Sequence, residues 1–138
     1  MTISRASSML RTLAVTLPIA VLGACMVAAA GAGAGGGIYL TQRGVESVVP
    51  ATPDRAAAAT ARAFDELKVH QTKSATEQEA DGEKRELEGT AGDREISVTI
   101  KAEQTNSCRV QVVAKKSAVT WDKDFARTIL DRIVAYSR

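Results

Sequence analysis

The chain has 138 residues, 45% of them apolar and 25% charged, with 18 Lys and Arg against 16 Asp and Glu, one His and two Cys. That is the size of one domain with an ordinary share of charge, which excludes a wholly disordered chain and a multidomain enzyme.

The charges are unevenly placed. No Asp, Glu, Lys or Arg falls between Thr12 and Gln42, and every acidic residue lies from Glu46 onward. Arg5 and Arg11 precede an apolar run from Leu13 to Leu22 and then the small pair Gly23-Ala24. This is the layout of a secretory signal peptide over residues 1–24. Leu22-Gly23-Ala24-Cys25 resembles the lipobox of bacterial lipoproteins, in which a Cys directly follows the cleavage site. The resemblance implies that the Cys25 thiolate takes a diacylglyceryl group as a thioether. Cleavage before Cys25 then frees an amine for a further acyl chain of the palmitate class. Thiolate chemistry explains why the position is Cys. One acyl chain anchors only reversibly, whereas two or three, at ~0.8 kcal/mol per buried methylene, hold a protein on the bilayer. Met26 in place of Asp after the Cys implies, by the same resemblance, the outer membrane facing the periplasm.

Other readings of this segment stay open. An ordinary signal peptide could be cleaved without lipidation. The 31 uncharged residues from 12 to 42 also exceed the roughly 20 needed to cross a bilayer, so an uncleaved membrane-anchored subunit is the alternative. Gly31-x-x-x-Gly35 and Gly33-x-x-x-Gly37 would suit packing between membrane helices, while glycine at 23, 31, 33, 35, 36 and 37 disfavours a helix. Cys25 would then be a small apolar residue of the span.

Removing residues 1–24 takes away Arg5 and Arg11, leaving equal numbers of basic and acidic side chains. The mature chain therefore lacks the basic footprint that nucleic-acid binding requires, and no nucleic-acid partner is expected. With Cys25 lipidated, Cys108 has no partner in its own chain. It is a free thiol or an intermolecular one.

Residues 25–37 read as a lipidated Cys with an Ala/Gly-rich tether. Ile38-Tyr39-Leu40-Thr41 has the composition of a short first strand. Thr52 as N-cap and Pro53 at the first helical position open an Ala-rich helix, with Ala57, Ala61, Phe64 and Leu67 along one face. Two polar strands, Val69 to Glu79 and Arg85 to Thr90, turn at Asp81-Gly82. Gly92-Asp93 marks the next turn. Ile96, Val98 and Ile100 alternate with Ser97, Thr99 and Lys101, and Cys108, Val110, Val112 and Ala114 repeat the alternation across a turn at Glu103-Gln104-Thr105-Asn106. These two runs are predicted antiparallel neighbours. A second helix is predicted after Thr120, from Trp121 to Tyr136, with the stripe Trp121, Phe125, Ile129, Ile133 and Tyr136. The expected fold of residues 38–138 is α+β: an antiparallel sheet of four to five strands with two helices on one face, in the order β-α-β-β-β-β-α.

The run Gly31-Ala32-Gly33-Ala34-Gly35-Gly36-Gly37 after the lipobox Cys, the following Tyr39, the Ala-rich helix ending in Leu67 and the closing Arg127-Thr128-Ile129-Leu130-Asp131-Arg132-Ile133 carry a further likeness. With them the chain resembles the small proteobacterial envelope lipoproteins grouped as a domain of unknown function. It departs from them at Ser117-Ala118-Val119-Thr120-Trp121, where the family more often has a Gly-containing turn. The resemblance implies an envelope address without a mechanism.

Candidates for chemistry are few. His70 is the sole histidine and Cys108 the sole unlipidated thiol. A small periplasmic thiol enzyme using this pair is the alternative to a non-enzymatic interaction protein. The alternation puts Cys108 on the apolar side of its strand, where thiols are inert, so no catalytic residue is expected. No Cys or His stands at ligand spacing from His70, so no metal and no cofactor is expected either. Glu77, Glu79, Asp81, Glu83, Glu86 and Glu88 read as a solvated hairpin face rather than a cation site. Trp121 reads as core or helix-end packing, with a membrane-interface anchor as its alternative. Five aromatics in all make a stacking groove improbable. Besides the membrane, reached through Cys25, the expected partner is an envelope protein meeting the polar sheet face, an edge strand or the acidic hairpin.

Overall fold

Alternation decides the sheet. Ile96, Val98, Ile100, Cys108, Val110, Val112 and Ala114 are all buried, while the residues between them are half-buried or exposed. One face of the strands therefore must be covered, and the other can meet water.

The computed structural model describes residues 37–138. The expected signal peptide (1–24), Cys25 and the expected tether as far as residue 36 lie outside the described residues. The elements are β1 (Tyr39–Leu40), β2 (Val45–Val49), α1 (Pro53–Glu66), β3 (His70–Glu79), β4 (Gly82–Ala91), β5 (Arg94–Gln104), β6 (Ser107–Ser117), β7 (Thr120–Trp121) and α2 (Lys123–Tyr136). All the strands form one antiparallel sheet in the order β1-β2-β6-β5-β4-β3, with β7 pairing to β6. Both helices cover the same face and touch each other, α2 over β2 and β6, α1 over β3 to β6.

The expected α+β class and the two helices on one face are present, but the sheet has seven strands rather than four to five. The order is accordingly β-β-α-β-β-β-β-β-α. The first expected strand shrinks to two exposed residues, Tyr39 and Leu40. The strand that was not expected is β2, where Val45, Ser47 and Val49 are buried against the helices and Glu46 and Val48 face the other way. It pairs with β6 through Val45↔Val112 and Val49↔Cys108. Gly44 makes that approach possible: a Cβ there would lie 2.1 Å from the Val112 carbonyl oxygen.

Thr52 caps α1 as expected, accepting from the Arg55 N–H at 3.4 Å. The buried face of α1 is Ala56, Ala59, Thr60, Ala63 and Phe64, one step round from the expected stripe, because Phe64 alone fixes the phase of an alanine-rich helix. Phe64 packs above Gly89 of β4. A Cβ on Gly89 would lie 3.3 Å from the Phe64 ring and 2.7 Å from Val69 Cγ1.

The second helix starts later than expected. Thr120 and Trp121 extend as β7 along β6, with Trp121 opposite Lys115, so Asp122 becomes the N-cap. Its buried stripe is Ala126, Ile129, Leu130 and Ile133, with Phe125 and Tyr136 at the margin and Trp121 outside it.

Two substitutions test this packing by urea unfolding at neutral pH. Phe64→Ala should cost about 3–5 kcal/mol, a large share of the 5–15 kcal/mol typical of a domain. Gly44→Ala should cost about 1–3 kcal/mol by overpacking, since the clashing atom is backbone and cannot rotate away. An unchanged midpoint for Gly44→Ala would mean that β2 does not lie this close to β6.

Candidate functional site

The helices leave one sheet face open. Register places Glu46 and Val48 of β2, Arg109, Gln111 and Val113 of β6, and Ser97, Thr99 and Lys101 of β5 on it. It continues through Glu86 and Glu88 of β4 to Lys73, Ala75 and Glu77 of β3. The charges on this face are interleaved. Lys73 Nζ lies 3.0 Å from Glu88 and 3.5 Å from Glu86, Lys84 spans Glu77 at 3.6 Å and Glu79 at 3.4 Å, and Lys101 reaches Glu79 at 2.8 Å. Arg109 joins Glu46 at 2.6 Å across to β2 and also pairs with Glu103.

Five of the six acidic residues of the hairpin run are paired with a basic side chain. Glu77, Glu79, Glu86 and Glu88 all hold lysines, and Glu83 pairs with Arg85 on the helix side, where Arg85 also reaches Asp54 at the start of α1. The hydrogen bond from Lys101 holds the Glu79 carboxyl below the usual glutamate range. The bonds that Lys73 donates to Glu88 and Lys101 to Glu79 raise the two lysines. Such exposed pairs fix local geometry more than they add stability. At one end of the face lies an open concavity of about 430 Å³, bordered by Thr72, Glu88, Thr90, Ser97, Val113 and Lys115. Its polar groups come from four different strands.

Cys108 and His70 do not meet. β5 and β4 stand between their strands. Register also sets Cys108 level with Ala102 at one end of the sheet and His70 level with Thr90 and Glu95 at the other. Cys108 is fully buried on the helix side, and desolvation, with Glu103 adding to it, pushes its thiol up to about 11. His70 is exposed on the edge strand. Among the described residues no three His, Cys, Asp or Glu side chains gather as a metal site, and no helix is long and apolar enough to cross a membrane. Cys25, the expected lipidation site, lies outside the described residues.

Trp121 is half-buried at the margin of the open face, with the Arg43 guanidinium 6.0 Å from its ring centroid. Next to it, Asp122 ties three elements together. Its carboxylate accepts from the Phe125 N–H at 2.9 Å and from Arg94 Nε at 2.7 Å, while its own N–H donates to the Ala114 carbonyl. Arg94 also lies 4.9 Å from the Phe125 ring centroid. The Phe125 N–H, followed by Arg94, holds the Asp122 carboxyl below its ordinary value of 3.8. Neither the stripe nor the turn signals pointed to Asp122. The Asp three residues before Phe125 was the available signal, outcompeted in the sequence by Thr120.

The family described as "Protein of unknown function (DUF3568)" matches residues 8–135, and the chain belongs to that family. No curated protein matches it.

Two measurements follow from the geometry. Cys108 should react with a thiol reagent in the native protein only as fast as the fold opens, and rapidly in urea. Fast native labelling with a midpoint near neutral pH would contradict its burial. Asp122→Ala should cost about 1 kcal/mol at pH 7 through loss of the helix cap. Because the folded carboxyl titrates below its unfolded value, that advantage is complete above the ordinary aspartate range and is lost as pH falls through the folded value. The gap between wild type and variant in urea unfolding should therefore close on acidification below about pH 4.

Proposed function

We propose that the chain is a bacterial lipoprotein held on the periplasmic side of the outer membrane through Cys25, whose folded domain works by contact with an envelope protein rather than by catalysis. The observation that carries this reading is Leu22-Gly23-Ala24-Cys25, placed directly after an arginine-led, otherwise uncharged apolar leader. The contact role is supported by the open sheet face, where long side chains of both signs are spread over a broad area and held in register by one another. Surfaces of that kind give a partner specificity through charge complementarity. The separation of Cys108 from His70 argues against a thiol nucleophile activated by this histidine.

The intact mass of the membrane-extracted protein, beside a Cys25→Ser variant, tests the reading. Loss of residues 1–24 with added acyl mass in the wild type, and neither change in the variant, is the expected result. Recovery of the unmodified full-length chain from the membrane would sink the lipid anchor and turn the Gly-rich stretch into a membrane span.

A further inference from the structure

β3 ends the sheet. This ten-residue strand pairs with β4 alone, so its second edge meets no described strand. The two-residue turn Ala80-Asp81 fixes which backbone groups point outward. Glu79 and Gly82 close the hairpin, and by alternation Glu77, Ala75 and Lys73 direct their N–H and C=O toward β4. Gln78, Thr76 and Ser74 direct theirs away from it. Side chains alternate too, with Lys73, Ala75 and Glu77 on the open face and Ser74 and Thr76 on the helix side.

Long free edges are normally blunted by a bulge or an inward charge. Here the irregularity falls between Gln71 and Lys73, and the register from Lys73 to Glu79 is unbroken. Within that stretch Lys73-Ser74-Ala75-Thr76-Glu77 is its own antiparallel complement. We infer that β3 is the interface with a second copy of this chain, joined edge to edge about a two-fold axis through Ala75.

The chemistry selects that axis. About Ala75, Ser74 and Thr76 of the two copies exchange N–H···O=C bonds twice over, using the outward groups. Lys73 stands opposite Glu77 of the partner subunit, twice, on the open face. The two Ala75 side chains meet at the centre in a pair without backbone hydrogen bonds, where Cα atoms approach to about 4.5 Å. Shifting the axis to Thr76 sets Glu77 opposite alanine and the two Glu77 on a diagonal, and it trades the Glu77 partner of Lys73 for Glu79, whose two oxygens are already held by Lys84 and Lys101. Shifting it to Ser74 sets Lys73 opposite alanine and the two Lys73 on a diagonal. Both shifts keep the backbone bonds and set like charges near one another, which costs energy. The main chain thus supplies the affinity and the charge pair the register.

The test uses the full chain in solution, with detergent if it is membrane-extracted, in analytical ultracentrifugation. The wild type is expected to dimerise at about 0.1 mM or below, the range of a modest strand-edge contact. Lys73→Glu alone and Glu77→Lys alone should each weaken the dimer at least tenfold. An equimolar mixture of the two should restore it, because the introduced carboxylate of one chain faces the introduced ammonium of the other while native Lys73 and Glu77 face each other at the second position. Ala75→Cys in a Cys25→Ser background should in addition form a disulfide-linked dimer on mild oxidation, as the Cα separation suits one and Cys108 is buried. A monomeric wild type at 0.1 mM, single variants that dimerise as well as the wild type, or an Ala75→Cys chain that stays unlinked would each overturn the proposal. Loss of fold in a charge variant would not protect it, since the Ala75→Cys linkage is read on a chain that keeps Lys73 and Glu77.

Discussion

The two-residue period of β6 is the constraint on which the other elements depend. Cys108, Val110, Val112 and Ala114 are each 0% exposed and face the helices. Slipping the strand by one residue would turn all four to water and bury Arg109, Gln111, Val113 and Lys115. Both edges of the strand are used. β5 lies along one, and β2 followed by β7 lies along the other. The main chain of β2 can reach that edge only because Gly44 carries no Cβ. α2 in turn rests on β6 and β2, and its cap, Asp122, donates its N–H back to Ala114 at the end of the same strand.

The parts of the fold that were legible are those where a single residue type repeats at a fixed interval. Ile96-Val98-Ile100 and the β6 alternation mark their own strands and their pairing, and Thr52-Pro53 marks the start of α1. What was hidden has physical reasons. In Val45-Glu46-Ser47-Val48-Val49 the small polar Ser47 is buried while Val48 faces the open side, so the hydrophobic pattern runs against the burial pattern. In α1, alanine occupies six of the fourteen positions, buried and exposed alike, so composition carries no phase and Phe64 alone orients the helix. At Thr120-Trp121 two capping candidates stood within three residues, and only the pairing of Trp121 with Lys115 decides for Asp122. The thiol's placement on the buried side was legible from alternation. Its distance from His70 was not, because strand order is a long-range property that periodicity does not encode.

The open face shows why an address is easier to read than a task. The proposed anchor rests on contiguous residues whose chemistry is local. The charges on the sheet belong to five strands and reveal their relation only in register: Glu79 serves both Lys84 of its neighbour and Lys101 one strand further on. Acidic residues that look like a cation site along the chain are, in space, half of an alternating lattice. Such a face carries no large patch of one sign, and it can recognise a surface with the opposite pattern.

The proposed anchor and the proposed dimer place compatible demands on the molecule. The described chain begins beside β1, at one edge of the sheet, and the self-complementary strand β3 forms the opposite edge. Pairing through β3 therefore leaves both β1 edges outermost. A two-fold axis that joins antiparallel edges stands perpendicular to the sheet, so both helix layers fall on one side and both open faces on the other. Symmetry also sets the two points where the chains enter at equal height along that axis. With the axis upright on a bilayer, both lipid sites lie at the same distance from it. The twelve residues between Cys25 and Ile38 can span at most about 40 Å, which bounds how far from the membrane such a pair could stand. Two anchors on one rigid sheet would also strengthen attachment by effective concentration, since release of one copy leaves it close to the surface it left.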